Sequence, residues 1–295
     1  MKRILFKGTA TALVTPMTKD GLDLPALDKL IDFQLDNGIA ALVACGTTGE
    51  PSTLSDAEWE VIVSRVVRRV NGRVPVIAGT GGNNTSRVIE LAARAKSLGA
   101  NAQLCVTPYY NKTSQEGLVA HYLKIADESP LPLILYNVPS RTGLSVSVDS
   151  LKKLSAHENI LALKEAGGDI ARVADIACAC GDALPLYSGA DEMIVPMMAL
   201  GAHGVISVLS NILPAQTAAM TGAWLSGDSA QAMRIQLQLM PLIRLLFSEV
   251  NPIPVKAALS MMGMMRDELR LPLIPLTAVN REKLRKELQR LEIIR

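Results

Sequence analysis

Eight short apolar runs, each followed by a longer stretch of mixed polarity, constrain the fold of this chain more than any other feature. The runs cover residues 9–14, 40–44, 74–78, 102–106, 131–136, 160–164, 184–188 and 204–208. Each is short and apolar almost throughout, the pattern of a strand buried on both faces. Several of the intervening stretches have helical spacing. Residues 55–70 open with Ser55 and, three positions on, Glu58, the spacing of a capping box. Residues 84–98 carry Val88, Leu91, Ala92, Ala95 and Leu98 on one face and stop at Gly99. Residues 169–179 and 190–200 behave alike. Strand and helix in alternation predict parallel strands joined by right-handed crossovers. About eight such units is the count of a (β/α)8 TIM barrel, within the α/β class. A doubly wound open sheet is the rival, but no G-x-G-x-x-G opens the first unit. Beyond residue 211 the strand pattern ends, and residues 213–225, 229–247, 252–265 and 277–291 read as helices. The expected organisation is a catalytic barrel over 1–226 and a C-terminal helical extension over 227–295.

Composition narrows the partners. A net charge of +2 without a basic block argues against nucleic acid and anionic membrane. No apolar run reaches the ~20 residues of a membrane span, and the basic N-terminus lacks the apolar stretch of a signal peptide. Cys45, Cys105, Cys178 and Cys180 form neither a secreted disulfide framework nor a zinc pattern, and three scattered histidines make no metal cluster. Free, mostly buried thiols in a reducing cytoplasm are expected, with no metal.

Lys164 is the residue that points to chemistry. It ends the apolar run 160–163, where burying an ammonium is costly. Such a lysine either snorkels to water or is held neutral by a lowered pKa, which makes it a nucleophile toward carbonyls. In a barrel of this kind the reacting groups sit at the C-terminal ends of strands. Those ends carry Gly46-Thr47-Thr48-Gly49-Glu50, Thr107-Pro108-Tyr109-Tyr110, Tyr136-Asn137-Val138-Pro139-Ser140-Arg141, Lys164, Ser188-Gly189 and Ile206-Ser207. The glycine-flanked threonines could bind a small carboxylate or form only a tight turn. Tyr136 could move protons beside the lysine or merely pack. Arg141 offers a bidentate fork for a carboxylate, or a solvated side chain. Together the set fits a class I, Schiff-base aldolase-type reaction on an α-keto acid. Lys256, in a helix after Pro254, is a rival nucleophile whose stem can pack with its ammonium in water. His203 and Glu165 read as structural.

Along essentially its whole length the sequence resembles the dihydrodipicolinate synthase family. The resemblance lies in Gly46-Thr47-Thr48-Gly49-Glu50, Pro108-Tyr109-Tyr110, Tyr136 to Gly143, Leu163-Lys164-Glu165-Ala166, Ser188-Gly189, Gly204-Val205-Ile206-Ser207 and Asn251-Pro252-Ile253-Pro254-Val255-Lys256. It implies that Lys164 forms an imine with pyruvate, that Thr48 holds the pyruvate carboxylate, and that Tyr136 transfers protons. It implies that Thr47 links Tyr136 to Tyr110, and that Tyr110 reaches across a dimer interface into the partner's site. Arg141 would receive the carboxylate of L-aspartate-4-semialdehyde, and Gly189 and Ile206 would line the pocket. The implied product is 4-hydroxy-tetrahydrodipicolinate, on the route to diaminopimelate and lysine, with no external cofactor. The implied assembly is a homotetramer, a dimer of dimers.

One region departs from the family pattern. Lysine-inhibited members carry histidines after the Gly-Thr-Thr-Gly-Glu turn and a glutamate in the next helix. This chain has Asp56 and Trp59 at the former and Arg87 at the latter, while Asn83 and Tyr109 are kept. An arginine there repels the lysine ammonium, so weak or absent lysine inhibition is expected, although Asp56 could partly restore binding. Two other readings stay open: a related pyruvate lyase, such as N-acetylneuraminate lyase or a keto-sugar-acid aldolase, and a ligand-binding barrel without catalysis. Arg141 and Tyr110 speak against the first, and Lys164, Tyr136 and Thr47 against the second.

Overall fold

The computed structural model describes residues 2–295. The chain begins with β1 (Gly8–Ala12) and a small antiparallel hairpin, β2 (Met17–Thr18) and β3 (Gly21–Leu22). Strands and helices then alternate: α1 (Leu24–Asp36), β4 (Ala41–Ala44), α2 (Asp56–Val70), β5 (Val76–Gly79), α3 (Thr85–Ser97), β6 (Ala102–Val106) and α4 (Gln115–Glu128). Next come β7 (Leu133–Asn137), two short helices α5 (Pro139–Thr142) and α6 (Val148–Ser155), β8 (Ile160–Glu165) and α7 (Ile170–Cys180). The series continues with β9 (Leu186–Ser188), α8 (Ile194–Ala199), β10 (Gly204–Ser207) and α9 (Pro214–Leu225). Three further helices follow: α10 (Ser229–Leu246), α11 (Ile253–Met261) and α12 (Ala278–Arg290).

Eight of the strands close a barrel in the order β1-β10-β9-β8-β7-β6-β5-β4, and every neighbouring pair is parallel. This is the expected (β/α)8 architecture. Strands such as β4, β7 and β8 are buried at every residue, which is why they read as continuous apolar runs. The barrel interior is filled by side chains including Ala10, Ala41, Ile77, Leu104, Ile134, Tyr187 and Ile206. Phe6 closes its lower end, stacked on Tyr187 with ring centroids 4.2 Å apart. The polar residues of β1 find partners outside the barrel wall. Thr9 Oγ1 donates to the Thr217 carbonyl of α9 at 3.0 Å, and Thr11 Oγ1 donates to Gln34 Oε1 of α1 at 2.6 Å. Each full burial of a large aliphatic side chain in these layers contributes roughly 1.5–3 kcal/mol.

The capping box at the start of α2 is present: Glu58 N donates to Ser55 Oγ at 3.3 Å and Ser55 N to Glu58 Oε2 at 2.9 Å. Such a cap is worth about 1 kcal/mol. Gly204 shows why one strand must begin with glycine. A Cβ at this position would lie 1.8 Å from the Gly8 carbonyl oxygen of the adjacent strand. Beyond the barrel, α10 packs on α9 and α12, and α11 packs on α12. The helix expected over 252–265 stops earlier, at Met261, because Gly263 takes a left-handed φ of 69°. The hairpin β2–β3 has no counterpart in the sequence reading; strands of two residues are too short to show a period.

Candidate active site

The ends of β7 and β8 place two side chains together. Tyr136 and Lys164 are register partners on these parallel strands, so both side chains leave the sheet on the same side, into the barrel. Lys164 is 5% exposed, and its Nζ lies 4.2 Å from the centroid of the Tyr136 ring. Among the described residues no carboxylate pairs with it. At the end of β9, Gly189 lets the backbone pass close to the lysine arm; a Cβ there would sit 3.0 Å from Lys164 Cε.

The next register pair, Asn137 and Glu165, points the other way and locks the two strands. Asn137 Nδ2 donates to both Glu165 carboxyl oxygens, at 2.9 and 3.0 Å, and Gly167 N donates to Glu165 Oε1 at 2.7 Å. Val146 N donates to Asn137 Oδ1 at 3.1 Å, so this amide is used at both ends. Burial pushes the Glu165 carboxyl above its ordinary value, against the pull of Asn137 and of Arg172, whose Nε is 3.7 Å away. Glu165 is therefore structural, as its sequence position suggested.

The turn after β4 faces the same end of the barrel. Thr48 is buried, at 2% exposure, and Asn251 Nδ2 donates to its Oγ1 at 3.0 Å. Glu50 ends the turn in the left-handed region, φ 55°, and its Oε1 accepts from Lys256 Nζ at 2.5 Å. This corrects the expectation that the Lys256 ammonium is solvated. Lys256 is 0% exposed, and its charge is met by a carboxylate 206 positions earlier in the chain. Burial lowers the Lys256 pKa, and Glu50 opposes that shift. Removing one member of such a pair costs about 3–5 kcal/mol, because the other charge is stranded.

Arg141, on α5, is exposed, and its Nη2 donates to the Asn251 carbonyl at 2.9 Å. Asn251 thus touches both Thr48 and Arg141; its own Oδ1 is buried without a partner. The motif containing Asn251 is visible in the sequence, but its long-range contacts are not. A cavity of about 490 Å³ opens from Thr47, Val138, Arg141 and Asn251 and runs outward past Trp59, Asn83, Arg87 and Tyr109. Lys164 is not among its lining residues. Ile206, 1% exposed, is part of the barrel interior.

Tyr110 stands apart from this group. It is 93% exposed at a left-handed φ of 69°, and among the described residues it makes no hydrogen bond to Thr47 or Tyr136 of its own chain. In the outer cavity, Asp56 forms an ion pair with Arg87 and another with Arg94 at 3.3 Å. These arginines hold the Asp56 carboxyl below its ordinary value, with Arg87 the larger cause. All four cysteines are free; Cys45, Cys105 and Cys180 are buried and Cys178 is exposed. Among the described residues no helix is long and apolar enough to cross a membrane.

A parallel eight-stranded barrel with an unpaired buried lysine beside a tyrosine at its C-terminal end defines a class I aldolase-type lyase. The dihydrodipicolinate synthetase family profile matches residues 5–291, and the chain belongs to that family. A 4-hydroxy-tetrahydrodipicolinate synthase from Geobacter metallireducens is 48% identical over 290 residues, covering 98% of this chain and 100% of the relative. The crystal structure of dihydrodipicolinate synthase from Aquifex aeolicus superposes with a TM-score of 0.95 at 44% identity, covering 98% of this chain and 99% of that one. The dihydrodipicolinate synthase from Acinetobacter baumannii, solved in complex with pyruvate, gives a TM-score of 0.96 at 45% identity, with 98% and 99% covered.

Proposed function

We propose that this chain condenses pyruvate with L-aspartate-4-semialdehyde through an imine on Lys164. The activity is 4-hydroxy-tetrahydrodipicolinate synthesis, in diaminopimelate and lysine biosynthesis. The observation that carries the mechanism is the contrast between two buried lysines. Lys256 is tied to Glu50 at 2.5 Å, whereas Lys164 has no carboxylate partner among the described residues and lies against Tyr136. Of these two, Lys164 is the one free to react.

Lys164 Nζ attacks the keto carbon of pyruvate, and water leaves as the imine forms. Thr48, with the backbone of its turn, receives the pyruvate carboxylate. Tyr136 moves protons as the carbinolamine dehydrates and as the methyl group loses a proton to give the enamine. The protonated imine is the electron sink, so the reaction needs no external cofactor. The enamine carbon attacks the aldehyde while Arg141 holds the second substrate's carboxylate, and Gly189 and Ile206 line the pocket. The substrate's own amine then displaces Lys164 by transimination, which closes the ring and frees the enzyme.

The barrel over 1–226 carries the reacting groups, and the extension over 227–295 supplies the segment that braces them. Thr47 connects Tyr136 to a Tyr110 contributed by a second subunit; the exposure of Tyr110 supports this role. The assembly is a dimer of dimers in the cytoplasm, where its free thiols remain reduced. Inhibition by lysine is weak or absent, because Arg87 faces the site and already neutralises Asp56. Turnover measured with added millimolar lysine is expected to stay near its uninhibited rate; strong inhibition below millimolar lysine would overturn this. Substrate choice is tested by comparing ring formation from pyruvate and aspartate semialdehyde with cleavage of N-acetylneuraminate. Ring formation alone is expected, and preferential sialic acid cleavage would refute the assignment.

A further inference from the structure

The segment from Asn251 to Lys256 grips the threonine turn at two points. Asn251 Nδ2 holds Thr48 Oγ1 at 3.0 Å, and Lys256 Nζ holds Glu50 Oε1 at 2.5 Å, with Gly49 between them. A third grip comes from the barrel, where Thr15 Oγ1 donates to the Gly49 carbonyl at 2.8 Å. Glu50 occupies the left-handed region, uncommon for a residue with a side chain, so something must hold it there. Its carboxylate is the anchor: one oxygen takes the Lys256 ammonium, and the other has only a long contact from Arg270 N, at 3.5 Å. Lys256 is wholly buried and touches none of the groups assigned to bond making. A buried ion pair is not needed for a stable core, since apolar replacements often serve as well. Its location behind the keto-acid turn gives it a more specific task.

We propose that Lys256 is a positioning residue for the keto acid: through Glu50 it fixes the Thr47-Thr48 turn in the conformation that receives the pyruvate carboxylate. The inference rests on the reading of Thr48 given above. It predicts a larger effect on pyruvate binding than on aldehyde binding, because Arg141 is held through the Asn251 carbonyl and makes no hydrogen bond to Glu50 or Lys256. It also separates position from stability. Neutralising both partners relieves the stranded charge of a single substitution, yet leaves the turn without its strongest bond.

The test compares the wild-type protein with Lys256→Met and with the double substitution Glu50→Gln/Lys256→Met. Melting temperature, KM for each substrate and kcat are measured for each, and the borohydride-reduced pyruvate adduct is located by peptide mass. In the double variant the melting temperature should recover toward wild type, while KM for pyruvate stays raised about tenfold or more. KM for aspartate semialdehyde and kcat at saturating pyruvate should move by less than about threefold. If KM for pyruvate recovers together with the melting temperature, Lys256 serves stability alone and the proposal is overturned. Equal rises in both KM values would overturn it as well. If Lys256→Met does not fold, the double variant carries the comparison. An adduct on Lys164 with unchanged pyruvate affinity refutes this inference only. An adduct elsewhere in the wild-type protein refutes the Lys164 mechanism itself.

Discussion

Gly189 and Lys164 share one small volume at the top of the barrel. A Cβ at position 189 would stand 2.8 Å from Ala166 Cβ, 3.0 Å from Lys164 Cε and 3.1 Å from the Glu165 carbonyl oxygen. Gly189→Ala therefore displaces the lysine arm together with the adjoining end of β8. An error of about 1 Å in a reacting group can cost on the order of a hundredfold in rate. Steady-state kinetics of Gly189→Ala should show kcat/KM for pyruvate down at least about tenfold, with an unchanged far-UV spectrum. Wild-type kinetics would show that the arm has room elsewhere. The sequence revealed Lys164 because a lysine at the end of an apolar strand violates a local pattern. It misplaced Lys256 because that residue's partner lies 206 positions away, and a helical period carries no record of such a contact. The same limit hid the role of Asn251, which bridges Thr48 and Arg141 from outside the barrel motifs.

Between elements, buried polar contacts fix how helices and strands meet. His121 of α4 is an example: its Nδ1 lies 2.9 Å from Thr85 Oγ1 of α3, while its Nε2 is buried without a partner. Burial lowers its pKa to about 4, against ~6.5 for an unfolded histidine. Above the unfolded value both states are neutral and the contribution to stability is complete. As the pH falls from about 6.5 toward 4, the unfolded chain takes up the proton first and stability is lost. Between pH 7 and 5 this one group accounts for a loss of about 2 kcal/mol. Denaturant unfolding at the two pH values should show the wild-type protein losing that much more than His121→Gln. Equal losses in both proteins would contradict the assignment. Most of the strands and long helices were legible, because each carries a sustained apolar period and several carry caps such as Ser55 and Glu58. The helices α1 and α4, 13 and 14 residues long, were not read from the sequence. Nor were the hairpin β2–β3 and the helices α5 and α6, which are two to eight residues long and whose positions depend on the barrel they cover.

At the scale of the whole molecule, one chain holds Lys164, Tyr136 and Arg141, but turns Tyr110 outward. The proposed completion of the site by a second subunit makes a prediction that concerns no single residue. Lys164→Ala and Tyr110→Ala subunits, each of low activity alone, should complement when unfolded together and refolded. A mixed dimer has one site with an intact lysine and a tyrosine from its partner. Equal mixing should restore about a quarter of wild-type activity by random pairing. Activity no higher than the mean of the two parents would show that Tyr110 serves its own chain or none.

The most direct test of the covalent step is the mass of the protein after incubation with pyruvate and reduction with borohydride. The wild-type protein is expected to gain one reduced pyruvate per chain, on the peptide that contains Lys164. Lys164→Ala should gain none and should lose turnover. An adduct on Lys256, or normal turnover by Lys164→Ala, would contradict the mechanism.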